Sequence, residues 1–329
     1  MRLRGECLRR VRLPALCALL LVSGAPVLEA APAANIQLPP LVQPASGEHH
    51  LGKVIWLDLV TPDLHQAEQF YAGLFGWTFE PASGDPHYAV ALLDGAPVAG
   101  ILQRSKPAGQ QRQPAWLTFI AAGDLEAVKR SALAHGARLL AGPVTYSQRG
   151  RQAIFADPEG AVFAVLASSS GDPPDEMAAL GQPLWSSLMV ADPDQEAAFY
   201  HALFGYDVYP LQEAAGATGA VGTAGTAGTA GAESADTAKH VILASGGFAR
   251  AAVSAFPPGA AHRHAHWLNF VRVADVAGAC AKAAALGGRV LVEPRIDRHG
   301  GRLAVVADAS GAPIGLMEWS DTDSSQEPQ

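Results

Sequence analysis

Residues Val54 to Glu80 read VIWLDLVTPDLHQAEQFYAGLFGWTFE, and this stretch decides the fold. Val54 to Val60 is dense in β-branched and apolar residues, which predicts a buried strand. Thr61-Pro62-Asp63 breaks it and supplies a helix N-cap, after which Leu64, Ala67, Phe70, Tyr71 and Leu74 recur at helical spacing. Gly76 fits a left-handed helix C-cap, and Trp77 to Glu80 returns to extended chain.

A near copy follows 129 residues later, since Trp185 repeats Trp56, Phe199-Tyr200 repeats Phe70-Tyr71 and Leu203-Phe204-Gly205-Tyr206 repeats Leu74-Phe75-Gly76-Trp77. Trp116-Leu117 returns as Trp267-Leu268, and GRQAIFADPEG from Gly150 returns as GRLAVVADASG from Gly301, now offset by 151. The difference is supplied by residues 214–236, a Gly/Ala/Thr tract without hydrophobic period that reads as a loop insertion. Each copy reads as strand, helix and three strands, twice over. The expected architecture is α+β: two tandem domains, 52–168 and 183–319, each of two paired βαβββ units around a cleft and each large enough for its own core. Residues 35–51 and 169–182 read as linkers, the former exposed, and 320–329 as a polar tail.

Ahead of this duplication, Arg2, Arg4, Arg9, Arg10 and Arg12 precede an apolar run from Leu13 to Val22 and a small-residue stretch near Ala30 to Ala34. That pattern predicts a secretory signal over 1–34 and a periplasmic or secreted protein, without membrane insertion after cleavage. Leu16 before Cys17 argues against lipidation. Cleavage leaves Cys280 as the lone cysteine, in an Ala-rich helical stretch where it is expected to be a small buried side chain. The formal charge of −8 becomes −11 once five arginines and two glutamates are removed. An acidic chain without a basic stripe argues against nucleic acid as a partner.

The strand, helix, three-strand order, the Asp63 and Phe70-Tyr71 positions, the Leu74-Phe75-Gly76-Trp77 helix end and the Phe155-Ala156-Asp157-Pro158-Glu159-Gly160 turn together resemble the vicinal oxygen chelate superfamily. This is the glyoxalase, bleomycin-resistance and ring-cleaving dioxygenase group, and the resemblance spans nearly all of 52–319. It implies a curved mixed sheet per domain and one candidate site in each. In metal-dependent members a His, Gln or Glu stands where the four strand tryptophans stand here, and an acid stands seven residues past the Asp of the closing turn. Those last positions are Ala164 and Gly315. Tryptophan, alanine and glycine side chains offer no donor to a divalent metal, so no cofactor is expected.

Strand alternation pairs Trp56 with Asp58, Trp116 with Thr118, Trp185 with Ser187 and Trp267 with Asn269 on common faces. The indoles either wall an apolar small-molecule site or fill the hollow between paired sheets. A buried Asp58 needs a partner or a raised pKa, and a bound ligand and Arg151 are the candidate partners, with Arg302 the counterpart of Arg151 in the second copy. His262, His264 and His266 share one side of an extended segment, but same-side neighbours are roughly 6.6–6.8 Å apart, too far for all three to hold one ion without a bend. His49-His50 falls in the linker. No nucleophile elbow, phosphate loop, HExxH or CxxC is present. Two functions remain open: an exported protein binding a small, partly aromatic molecule, or a lyase, isomerase or dioxygenase-like enzyme acting on a small oxygenated substrate with Asp58 as acid or base. Oligomeric state is not legible.

Overall fold

The structure is a computed structural model that describes residues 37–104, 113–211, 239–256, 264–296 and 301–319. The expected signal, the insertion at 214–236, the tail and His262 lie outside the described residues.

The first domain runs β1 (Val54–Thr61), α1 (Leu64–Phe75), β2 (Thr78–Pro81), β3 (Tyr88–Leu93), β4 (Ala96–Gln103), β5 (Ala115–Ala121), α2 (Leu125–Ala134), β6 (Arg138–Tyr146), β7 (Gly150–Ala156) and β8 (Val162–Ser168). The second repeats it as β9 (Pro183–Val190), α3 (Pro193–Phe204), β10 (Asp207–Leu211), β11 (His240–Ser245), β12 (Phe248–Ala255), β13 (His266–Arg272), α4 (Val276–Ala285), β14 (Arg289–Ile296), β15 (Arg302–Ala307) and β16 (Pro313–Met317). Local chemistry sets the helix ends as the sequence predicts. Asp63 accepts from the Gln66 amide at 3.0 Å, and Gly76 closes α1 at φ 79°, a conformation that costs glycine nothing.

Each domain is one eight-stranded mixed sheet, in the order β2-β3-β4-β1-β5-β8-β7-β6 and, identically, β10-β11-β12-β9-β13-β16-β15-β14. The central pair of each sheet is antiparallel, β1 with β5 and β9 with β13, and is flanked by parallel neighbours.

Two of the cores are shared between the copies rather than internal to each. The described residues of both copies belong to one compact unit. One core joins Phe70, Tyr71, Trp77 and Trp116 of the first domain to Val276, Cys280, Val306 and Leu316 of the second, and another joins Phe155 and Phe163 to Leu188, Phe199, Tyr200 and Trp267. Each sheet carries two amphipathic helices on one face. A single helix layer still shows apolar surface outward, which is buried only when the two domains put their helix-bearing faces together.

A third core lies on the opposite face of the first sheet: Trp56, Tyr88, Val90, Phe119 and Leu166 with Leu38 and Leu41. Residues 37–42 of the linker expected to be exposed are therefore docked, while 43–49 are exposed as expected. Gln37 bridges Ser83, and the Ser170 hydroxyl accepts from the Leu41 amide at 3.0 Å and the Val42 amide at 3.3 Å. Leu38 and Leu41 in this Pro-rich stretch explain the docking, since burying each contributes about 1.5–3 kcal/mol.

Candidate functional site

Cross-strand register, invisible in sequence, defines the middle of each cleft. In the first domain Trp56 pairs with Phe119, and Phe119 with Ala164. In the second, Trp185 pairs with Phe270, and Phe270 with Gly315. Paired residues share a sheet face, so each cleft is centred on a rung of indole, phenyl ring and small residue. Ala164 and Gly315 stand where the family resemblance placed them. The β5 and β13 members are Phe119 and Phe270, not Trp116 and Trp267. Neither rung offers a nitrogen, oxygen or sulfur lone pair, because the indole N–H of Trp56 is itself a donor to Asp58. A Cβ on Gly315 would lie 2.1 Å from the Phe270 ring, so that ring occupies the space of the missing carboxylate. Among the described residues no three His, Cys, Asp or Glu side chains converge on a common point. The residues present do not fit the divalent metal that the fold implies.

In the first domain the rung is built into a buried polar cluster. Asp58 Oδ1 accepts from Trp56 Nε1 at 2.8 Å and from the Tyr88 hydroxyl at 2.7 Å. Gly100 makes this reach possible: a Cβ there would meet Tyr88 Oη at 1.9 Å and Asp58 Oδ1 at 2.2 Å. The Arg149 guanidinium stacks 3.9 Å from the Trp56 ring centroid, and its Nε donates to the Pro39 carbonyl at 2.8 Å. Burial pushes the Asp58 carboxyl above its ordinary pKa, opposed by the Tyr88 hydrogen bond, the Arg149 charge and the Trp56 N–H.

Arg151, expected beside Asp58, is elsewhere: its Nη2 lies 2.5 Å from Glu126 Oε1 on the helix side. The cause is Gly150, at φ 116°, where a Cβ would sit 2.1 Å from the Ala167 carbonyl. This left-handed residue interrupts the alternation, so Arg149 rather than Arg151 turns toward the cleft. Arg302 is exposed and alternates with Ala304 and Val306 of the interdomain core, so it does not enter its cleft either.

Four further expected cleft residues lie on the helix-bearing faces. Trp116 Nε1 donates to the Tyr71 hydroxyl at 3.2 Å, and Trp267 Nε1 to the Tyr200 hydroxyl at 3.1 Å. Asn269 Oδ1 accepts from Thr118 at 3.1 Å and from Ser186 at 2.7 Å, a polar knot at the domain boundary. The repeated Trp-Leu pair drew attention to these strands, but the residue opposite Trp56 is the phenylalanine three positions on, which is also repeated.

The second cleft differs in kind. Trp185, Ser187 and Met189 are half-buried on the face away from the helices. Register places Leu268, Ala252 and Ile242 beside Ser187, and His266, Ser254 and His240 beside Met189. His240 Nδ1 and Ser254 Oγ are 2.7 Å apart. His266 faces its own segment, with Nδ1 2.8 Å from the His264 carbonyl and its ring stacked on Phe256 at 6.2 Å, while His264 is exposed. His49 and His50 pair with Asp172 and Asp175 at 3.7 and 3.2 Å, in the connection between domains. Cys280 is buried, as expected, and its thiol is pushed up by burial.

Among known proteins, a putative glyoxylase, CFP32 of Mycobacterium tuberculosis, is 29% identical over 278 residues, covering 84% of this chain and 98% of that protein. The anthracycline biosynthesis protein DauV of Streptomyces sp. (strain C5) is 28% identical over 280 residues, covering 81% and 93%. Of solved structures, the Mn(II)-bound glyoxalase from Novosphingobium aromaticivorans superposes with a TM-score of 0.54 at 13% identity, covering 82% of each chain. The 2,3-dioxygenase LapB from Pseudomonas sp. KL28 superposes at 0.55 and 12%, covering 85% of this chain and 97% of its own. The glyoxalase-like domain model matches residues 54–166 and again 186–317. With that match over both copies and the vicinal oxygen chelate sheet order in each, the chain belongs to the glyoxalase-like domain family as a tandem two-domain member.

Proposed function

We propose that this glyoxalase-like chain is an exported binding protein that holds a small, partly aromatic molecule, without a metal, on the open face of its second domain. The observation that carries the reading is the state of the two rungs. Trp56, Phe119 and Ala164 are buried beneath Leu38 and Leu41, whereas Trp185 remains half-buried beside Ser187 and Met189. An accessible indole sharing a sheet face with a hydroxyl and a polarizable thioether is an apolar platform with a polar handle, the composition of a small-molecule site. Relatives named for anthracycline biosynthesis, a chemistry of flat aromatic rings, are compatible with such a ligand. Export rests on the arginine-rich, apolar leader. Binding is favoured over catalysis because Asp58, the acid-base candidate, is buried with its Oδ1 engaged twice, once by the Trp56 indole that packs with Leu38 and Leu41.

The test is a fluorescence and calorimetric titration with 1,4-dihydroxyanthraquinone. One molecule per chain should bind and quench tryptophan emission, with affinity unchanged by EDTA. Trp185→Ala should weaken binding about tenfold or more. A tightly held transition metal whose removal abolishes binding, or full affinity in Trp185→Ala, would sink the proposal.

A further inference from the structure

The strap formed by residues 37–42 meets Arg149 in an incomplete way. Arg149 is 1% exposed, and Nε donates to the Pro39 carbonyl. Its Nη2 is buried without a hydrogen-bond partner. Nε and Nη2 lie on the same edge of a guanidinium and form the two-donor fork that matches the two oxygens of a carboxylate. A peptide carbonyl has one oxygen and satisfies half of it. An unpaired buried donor on a charged group is costly, so the strap is a poor final occupant of this edge. The surroundings of the guanidinium are apolar: it lies on the Trp56 ring, and Trp56 packs in one core with Val90, Phe119 and Leu166 and with Leu38 and Leu41 of the strap.

The geometry points to a second ligand site in the first domain, a carboxylate clamp on the Nε/Nη2 edge of Arg149, held closed by residues 37–42 and taking an apolar or aromatic carboxylic acid. In the closed state Pro39 stands in for one carboxylate oxygen, and Leu38 and Leu41 stand in for the acid's hydrophobic body. Entry of the acid replaces one hydrogen bond from the guanidinium to a neutral carbonyl by two to a charged carboxylate, and expels the strap. The strap itself is held by few bonds: the Gln37 amide to the Ser83 carbonyl, the Leu41 and Val42 amides to Ser170 Oγ, and Pro39 to Arg149. Asp58 lies beside the clamp, and its tendency to hold a proton lessens its repulsion of an incoming anion. This site is independent of the one assigned to the second domain.

Calorimetry with 2-naphthoate and its neutral analogue 2-naphthamide tests the clamp, on full chains carrying Trp185→Ala so that the second cleft does not contribute. Leu38→Ser/Leu41→Ser, which loosens the strap, should raise 2-naphthoate affinity about tenfold or more, with no comparable gain for the amide. Adding Arg149→Lys keeps the charge but removes the fork, and should abolish the gain. In the unmodified chain, saturating 2-naphthoate should accelerate amide exchange at Leu41 and Val42, a measurement that decides the matter if the strap variant does not fold. Unchanged exchange at those amides, equal gains for acid and amide, or a gain that survives Arg149→Lys would each overturn the site.

Discussion

The hydroxyl of Tyr71 in the first domain donates to the carboxylate of Asp308 in the second at 3.1 Å, and its repeat, Tyr200, donates to Asp157 in the first, also at 3.1 Å. Each tyrosine in turn accepts from the tryptophan of its own domain, Trp116 or Trp267. Two Trp-Tyr-Asp relays thus cross the domain boundary in opposite senses. The Phe-Tyr pair of the helix and the Asp of the closing turn, repeated together in sequence, are one interaction made twice.

Tyr71→Phe should therefore destabilise the whole protein, because Asp308 Oδ2 and the Trp116 N–H lose a partner inside a dry core. The expected loss is about 1–3 kcal/mol, read as a lower urea midpoint in a single transition. Two separate transitions, with only the first domain affected, would show that the cores are not shared.

Glu196 in α3 is fully buried against Asp157, with Glu159 nearby, and burial followed by these like charges pushes it up to about 8. Asp157, also raised by burial, is held near 6. A carboxyl whose folded pKa exceeds its unfolded value contributes stability that is complete below the unfolded value and is lost as pH rises through the folded one. Thermal midpoints should accordingly fall between about pH 4.5 and 8 in the native chain, and Glu196→Gln should flatten that decline. A steeper decline in the variant would contradict the assignment.

Asp58→Asn keeps an acceptor for Trp56 and Tyr88 while removing a buried charge. Burial raises the Asp58 pKa, so the native carboxyl costs most where it is ionised, above that raised value. The stability difference should shift in favour of the variant as pH rises from 4 to 7. A difference that moves the other way would make Arg149's loss of a counter-charge the dominant effect.

Gly150→Ala should cost about 1–3 kcal/mol, since it forces a side chain into a left-handed conformation against the Ala167 backbone. Tryptophan emission should also shift, as Arg149 leaves the Trp56 ring. A variant with native stability and emission would leave Arg149's placement without its explanation.

The sequence by itself determined the duplication, the order of elements, the helix caps and the absence of metal donors at Trp56, Ala164, Trp185 and Gly315, because these depend on local periodicity and residue type. Alternation correctly joined Trp56 to Asp58 on one face. It could not say which face of a strand meets helices, so Trp116, Thr118, Trp267 and Asn269 were expected in clefts when they form the domain boundary. Register between β1 and β5 put Phe119 opposite Trp56, and one left-handed glycine exchanged Arg151 for Arg149. The docking of Leu38 and Leu41, and the joining of four helices into two shared cores, rest on contacts between residues far apart in the chain. Those were decided only by tertiary structure, where apolar faces that no single repeat can cover are buried by the other repeat or by the chain's own N-terminal segment.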